Sequence, residues 1–335
     1  MTRLNAKPFL KWAGGKTQLL NEIESRLPNR EIKVLIEPFI GSGAVTLYLA
    51  QKIKSLEKVY INDRNPELVL VWNVIKYQVN PLISKLKVRE QKFLSTSDKE
   101  ERKEIFYAAR KEFNESLDLL SEINFSSFLN NTTEIIEYSI NRASLFIFLN
   151  RTCFNGLYRV NKKGEFNVPM GDYKNPTICD ESNLLAVCSL LNSKEKEIII
   201  LEPSDYSIAC NKILKNIQYK PENIFMYFDP PYRPISTSSN FTSYSKFDFT
   251  DESQMELAKF YIEMSELKLN LMLSNSDPTN TNEDDTFFDD LYKDFAELDQ
   301  KTGKRKVLRV RASRNINSKG TKRGKINEIL VTNYS

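Results

Sequence analysis

Short apolar runs rich in β-branched and aromatic residues recur at 34–36, 59–61, 198–201, 224–228, 269–273, 307–310 and 329–331, each bounded by polar turns. Runs of this kind without polar alternation belong to strands buried on both faces, as in a sheet covered by helices on either side. Helical patterns at 17–26, 45–54, 66–77 and 251–267 separate several of them. The alternation predicts an α/β, doubly wound fold on a mainly parallel seven-stranded sheet. Between about 75 and 195 the character changes to a charged helical stretch (99–116), an apolar helix-like run (140–149) and a loop-rich polar segment. That segment is predicted to be an inserted, mostly helical domain over 75–194, with 1–74 and 195–335 forming the main domain. The Ser/Thr-rich 236–245 and the Asn/Asp-rich 274–285 read as mobile loops.

The residues that are missing narrow the chemistry. There is no histidine among 335 residues, which excludes His-based general bases, Ser/His and Cys/His nucleophiles, and His-ligated metals. Cys153, Cys179, Cys188 and Cys210 are too scattered for a disulfide scaffold or a zinc site and read as buried small hydrophobes; no metal is expected. No run approaches the roughly 20 apolar residues of a membrane span, and the N-terminus lacks the apolar stretch of a secretory signal. The expectation is a cytoplasmic protein. The net charge of +4 is unevenly spread: eleven basic residues and no acid lie between Lys301 and Lys325, just after an acidic stretch from Glu283 to Asp299. A local basic tail suggests a polyanionic partner such as nucleic acid.

Three motifs carry the chemistry. Val34 to Ile36 opens through Glu37-Pro38-Phe39-Ile40 into Gly41-Ser42-Gly43, and about twenty residues later a second strand ends at Asn62-Asp63. Glycines after a first strand let a ligand approach the backbone, and an acid after the second accepts ribose hydroxyls, so the pair reads as a nucleoside site. Lys11-Trp12-Ala13-Gly14-Gly15-Lys16-Thr17 is not a P-loop, because Leu10 stands where that motif needs glycine and no strand precedes it. It suits an aromatic-walled pocket for a carboxylate-bearing ligand. The third motif is a strand ending in Asp229-Pro230-Pro231-Tyr232. Two prolines stiffen the turn, so the Asp229 carboxylate and Pro230 carbonyl can both accept from one amino group while Tyr232 offers a stacking ring. An amine attacking a sulfonium methyl needs alignment more than prior deprotonation, so the lack of histidine is no handicap.

On these residues the chain resembles the Dam-type, D12 class DNA adenine methyltransferases over nearly its whole length. The shared segments are 9–20, 37–43, 62–63, 149–171, 229–232, 239–242 and the tail around 313–330. The resemblance implies a class I methyltransferase fold, S-adenosylmethionine as cofactor, and transfer to N6 of adenine in double-stranded DNA, in GATC, with the base flipped out of the duplex. It implies that Trp12, Lys16, Asp63 and Asp229 contact the cofactor, that Ala13, Gly14, Phe39 and Gly41 line its pocket, and that Asp229, Pro230 and Tyr232 receive the adenine. The 236–247 loop would close over the extruded base.

In the inserted domain, 150–159 resembles the family's recognition hairpin. Arg159 would read a guanine edge, Leu157 a thymine methyl, and Phe154 would wedge into the duplex in place of the usual tyrosine. Asn155, Pro169 and Lys11 fall at base-contacting positions, and Asn161, Asn167 and Arg110 at phosphate-contacting ones. A monomer, nucleoid-associated in a prokaryotic or phage-infected cell, is expected. An N4-cytosine enzyme would usually carry serine for Asp229, and a C5-cytosine enzyme needs a thiolate after proline, which is absent here. An RNA adenine-N6 methyltransferase and a non-catalytic sequence-specific DNA-binding protein are the alternatives.

Overall fold

The computed structural model describes residues 5–233, 249–298, 305–313 and 325–334. All seven predicted strands form: β1 (Val34–Glu37), β2 (Lys58–Ile61), β3 (Glu197–Ile200), β4 (Ile224–Phe228), β5 (Asn270–Ser276), β6 (Leu308–Ser313) and β7 (Lys325–Thr332). They make one sheet in the order β3-β2-β1-β4-β5-β7-β6. The first five are mutually parallel, and β7 runs antiparallel to both β5 and β6. From β1 the chain moves outward to β2 and β3, then returns to β4 on the other side. The carboxyl ends of β1 and β4 therefore face the topological switch point, where open α/β sheets bind ligands.

The helices are α1 (Leu20–Ser25), α2 (Ala44–Lys52), α3 (Pro66–Tyr77), α4 (Val79–Leu94), α5 (Lys99–Glu115), α6 (Thr133–Thr152), α7 (Glu181–Leu191), α8 (Tyr206–Asn216), α9 (Asp251–Glu266) and α10 (Phe287–Leu291). Local chemistry sets their starts. Asn65 caps α3 by accepting from the Glu67 N–H at 3.0 Å, with Pro66 in the first turn, and Asp205 and Thr250 cap α8 and α9 in the same way. One sheet face is covered by α8 and α9, with Val34, Ile36, Met226 and Leu271 packed against Cys210, Leu257 and Tyr261. The other packs Leu35, Val59 and Tyr227 into one continuous apolar cluster with Leu82, Phe106 and Phe148 of the segment expected to be inserted. Within that segment Arg142 is fully buried on α6 and pairs with Glu67 of α3, while its guanidinium also donates to the Phe113 carbonyl at 2.8 Å.

Several expectations need correction. Residues 274–276 are not loop: β5 continues through Ser276, and Ser274, Asn275 and Asp277 are completely buried. Polar side chains there bond inward, a pattern that apolar periodicity cannot register. Only Cys153 and Cys210 are buried, whereas Cys179 and Cys188 are half-buried. The 17–26 helix is a 3-10 turn, Lys16–Gln18, followed by the short α1. A two-stranded hairpin, Glu297–Leu298 with Arg305–Lys306, was not anticipated. The acidic stretch is partly neutralised from within, since Arg309 of β6 pairs with Asp277 and Asp289, and Arg233 with Asp285. Among the described residues no helix is long and apolar enough to cross a membrane and no His/Cys/Asp/Glu cluster could hold a metal.

Candidate active site

β1, β2 and β4 deliver Glu37, Asp63 and Asp229 to the same edge of the sheet. Asp229 meets the ammonium of Lys16 at 2.6 Å, and Lys16, only 2% exposed, also donates to the Gly14 carbonyl and to the Tyr232 hydroxyl, both at 2.7 Å. Lys16 therefore enters the site as the counter-ion of Asp229. Burial pushes the Asp229 carboxyl up to about 6 against the pull of Lys16, so it is ionised at neutral pH. Ser274 donates to its Oδ1 at 3.3 Å, and Tyr227 bonds Ser274 at 2.7 Å. Glu37 is different: burial raises it to about 8, and the Thr46 backbone N–H and hydroxyl satisfy it, making it a neutral support under the turn.

The proline corner is held as its sequence implies. Gln254 of α9 donates to the Pro231 carbonyl at 3.0 Å and is itself held by Asn275 of β5 at 3.1 Å. Among the described residues none donates to the carbonyl of Pro230, which is buried beside Asp229. The corner thus presents a carboxylate and a peptide oxygen in fixed directions, two acceptors for one amino group.

The nucleoside end is equally defined. Asp63 Oδ2 accepts from the Gly41 N–H at 3.0 Å and Oδ1 from the Asn65 N–H at 2.9 Å, and burial lifts its carboxyl to about 6. Gly41 has φ +47°, and a Cβ there would lie 3.0 Å from Trp12 Nε1. Only glycine lets the backbone run this close to the indole. Phe39 packs on Tyr206 and Phe249 on the far side, and Ala13 and Gly14 lie between Trp12 and Tyr232 in the chain, with Gly14 exposed. An acid with backbone-fixed oxygens, two aromatic walls and small residues between them fit an adenosine-type cofactor.

In place of the hairpin expected over 150–159, residues 153–170 form a longer antiparallel excursion closed by isolated bridges Cys153↔Met170 and Val160↔Phe166, called the hairpin below. Asn150 to Thr152, expected within it, are the last residues of α6. Phe154 is 44% exposed, Leu157 is half-buried, and Asn155 sits at φ +55°. Arg159 donates through Nε to Asn167 at 2.7 Å. The Asn161 side chain accepts from the Lys163 and Glu165 N–H groups and donates to Glu165, so it shapes the turn. The Pro169 carbonyl accepts from the Phe154 N–H at 2.9 Å, and Arg110 reaches the Val168 carbonyl at 3.4 Å. Lys11 is tied to the hairpin base, since Asn150 bonds both its N–H and its carbonyl as well as the Gly156 carbonyl. Tyr158 stacks on Trp12 with centroids 5.9 Å apart, so hairpin and cofactor end share an aromatic contact.

Sequence reasoning missed four residues around the corner: Gln254, Ser274, Asn275 and Glu328. Glu328 of β7 accepts from the Tyr232 hydroxyl at 2.7 Å and lies 3.8 Å from Lys16. Its signal was present as an acid directly before the apolar run of 329–331. The 236–247 loop and most of the basic tail fall outside the described residues.

Comparison with known proteins decides the family. A model described as D12 class N6 adenine-specific DNA methyltransferase matches residues 12–307. The chain belongs to this family. It is 44% identical to the Type II methyltransferase M.MjaIII of Methanocaldococcus jannaschii, covering 99% of this chain and all of that one. It is 34% identical to the Type II methyltransferase M1.LlaDCHI of Lactococcus lactis subsp. cremoris, over 99% and 97% of the two chains. Identity to the DNA adenine methylase of Escherichia coli K12 is 30%, over 97% and 94%. The D12 enzyme described here is thus a DNA adenine-N6 methyltransferase on an α/β, seven-stranded, mostly parallel sheet.

Proposed function

We propose that this enzyme takes the methyl group of S-adenosylmethionine and places it on N6 of an adenine flipped out of double-stranded DNA, within GATC. The observation that carries the reading is the pairing at the end of β4 of Asp229, salt-bridged to Lys16, with the Pro230 carbonyl, to which none of the described residues donates, next to the Asp63, Gly41 and Trp12 surface. When bound, S-adenosylmethionine supplies a methyl group on a sulfonium, an electrophile that needs no general base before attack. Asp229 and Pro230 accept the two N–H bonds of the adenine amine, which fixes the nitrogen and concentrates its electron density. Tyr232, held at its hydroxyl, offers its ring to the base. Asp63 receives the ribose hydroxyls, with Trp12, Phe39, Ala13, Gly14 and Gly41 as walls and Lys16 behind Asp229.

GATC rests on the hairpin. Arg159, aimed by Asn167, suits a guanine edge, and Leu157 a thymine methyl. Phe154 presents an exposed ring to wedge between base pairs, while Asn155, Pro169 and Lys11 border the bases and Asn161, Asn167 and Arg110 the phosphates. The 75–194 segment would then be the recognition domain. The test incubates unmethylated duplexes carrying GATC or a scrambled site with S-adenosylmethionine, then challenges them with a nuclease blocked by adenine methylation. Protection of GATC duplexes alone is expected; equal protection of both removes the specificity.

A further inference from the structure

We propose that Glu328, on β7, is a positioning residue for methyl transfer: its carboxylate fixes the Tyr232 phenol and, with Lys16, the direction of the Asp229 carboxylate. This rests on the reading of Asp229 and Tyr232 as the groups that receive the base. Glu328 is itself buried on β7, and the next three residues, Ile329, Leu330 and Val331, are each no more than 1% exposed. A carboxylate placed there needs compensation. It finds it in the Tyr232 hydroxyl at 2.7 Å and in the Lys16 ammonium at 3.8 Å. The same hydroxyl accepts from Lys16 at 2.7 Å. A phenol has one proton, and here it points to Glu328 while a lone pair faces Lys16, so both of its directions are fixed. Lys16 in turn lies 2.6 Å from Asp229. The chain Glu328, Tyr232, Lys16, Asp229 joins strand β7 to the corner after β4, and β7 is reached only at the end of the sequence.

Charge gives the chain a second consequence. The groups that face Asp229 are Lys16 from the N-terminal turn, Ser274 of β5, Glu328 of β7, Tyr227 of β4, Glu37 of β1, and Tyr232 beyond the corner. Lys16 and Ser274 favour its carboxylate form, and the negative charge of Glu328 opposes it. Removing that charge moves the ionisation of Asp229 to lower pH.

The test measures kcat, KM for DNA and the acid limb of the pH profile for Glu328→Gln and Glu328→Ala in the full chain, with radiolabelled S-adenosylmethionine and unmethylated duplex DNA. Glutamine keeps an oxygen for the Tyr232 proton but removes the charge, so its kcat stays within a few-fold of the parent while the acid limb moves to lower pH. Alanine removes both, and kcat falls by about tenfold or more with KM for DNA little changed. Wild-type kcat and an unmoved acid limb in both variants overturn the proposal, and so do equal losses in both with the limb unmoved. If the alanine variant fails to fold by thermal melting, the glutamine variant decides alone: a lowered limb supports the proposal and an unmoved one overturns it. Asp229→Ala run alongside separates the two readings. Turnover in that variant overturns the underlying site, whereas an inactive Asp229→Ala beside unaltered Glu328 variants overturns only the role of Glu328.

Discussion

The edge of the sheet where β1, β2 and β4 end, and the hairpin at 153–170, use polar groups in opposite ways. At the sheet edge Lys16, the Asp229 to Tyr232 corner and Glu328 come from three distant stretches of chain and are interlocked within 2.6 to 3.8 Å, with Lys16 buried and Asp229 and Tyr232 half-buried. In the hairpin the pairs are local, Arg159 with Asn167 and Asn161 with Glu165, and an assigned aromatic side chain, Phe154, is 44% exposed. Chemistry that depends on alignment is built on rigid strands, where burial strengthens each interaction. The hairpin, proposed above to meet DNA, is held by a few short-range bonds over an apolar base of Phe146, Tyr158 and Phe166.

Four experiments test that contrast. Glu67→Ala strands the buried Arg142 beneath the hairpin and is expected to lower unfolding free energy by about 3–5 kcal/mol, read from denaturant midpoints. Its folded fraction should keep normal turnover, because the corner after β4 does not touch the pair; a collapse of kcat per folded molecule would show that the two regions are one unit. Asp229→Ala should lower kcat by about a hundredfold to a thousandfold while binding duplex DNA nearly as the parent does, since the phosphate contacts proposed above lie elsewhere. Gel-shift and single-turnover assays check both halves, and normal turnover would remove the carboxylate from the reaction. Arg159→Ala should reduce discrimination against a wrong base at one position by about 1–3 kcal/mol, with kcat on the cognate site changed less. Uniform weakening on every sequence would make Arg159 a phosphate contact instead.

The smallest effect concerns pH. Because burial raises Asp229 to about 6 and the proposed function makes its carboxylate the acceptor, kcat/KM should fall as pH drops through about 6, by roughly tenfold per unit below it. An ordinary exposed carboxylate would hold activity down to about 4. A limb found there would mean that the corner is more hydrated than its burial implies.

Much was legible in advance where one residue type can satisfy a local demand. The strand cores were found because β-branched runs have few other fates, and the helical pattern over 66–77 matches α3 from residue to residue. The corner of Asp229 to Tyr232 was legible because two prolines permit few backbone paths. What failed had no local signature. Ser274 and Asn275 look like loop residues until Tyr227, Asp229 and Gln254 surround them, and Glu328 is an anomaly in its strand until Tyr232 arrives. Nor does the sequence show that Arg309, one of the basic residues of the tail, is paired with Asp277 and Asp289.

By itself, then, the sequence determined the alternating strands and helices, the proline-stiffened acid, the glycines that need positive φ, and the chemistry that a chain without histidine can perform. Tertiary structure alone decided the partners: that Lys16 neutralises Asp229, that β7 inserts between β5 and β6 to bring Glu328 to Tyr232, and that Trp12 meets the hairpin at Tyr158. The physical reason is range. Backbone propensity and turn chemistry act over a few residues, whereas ion pairs and stacking between positions 16 and 229, or 232 and 328, exist only once the sheet has set its strand order.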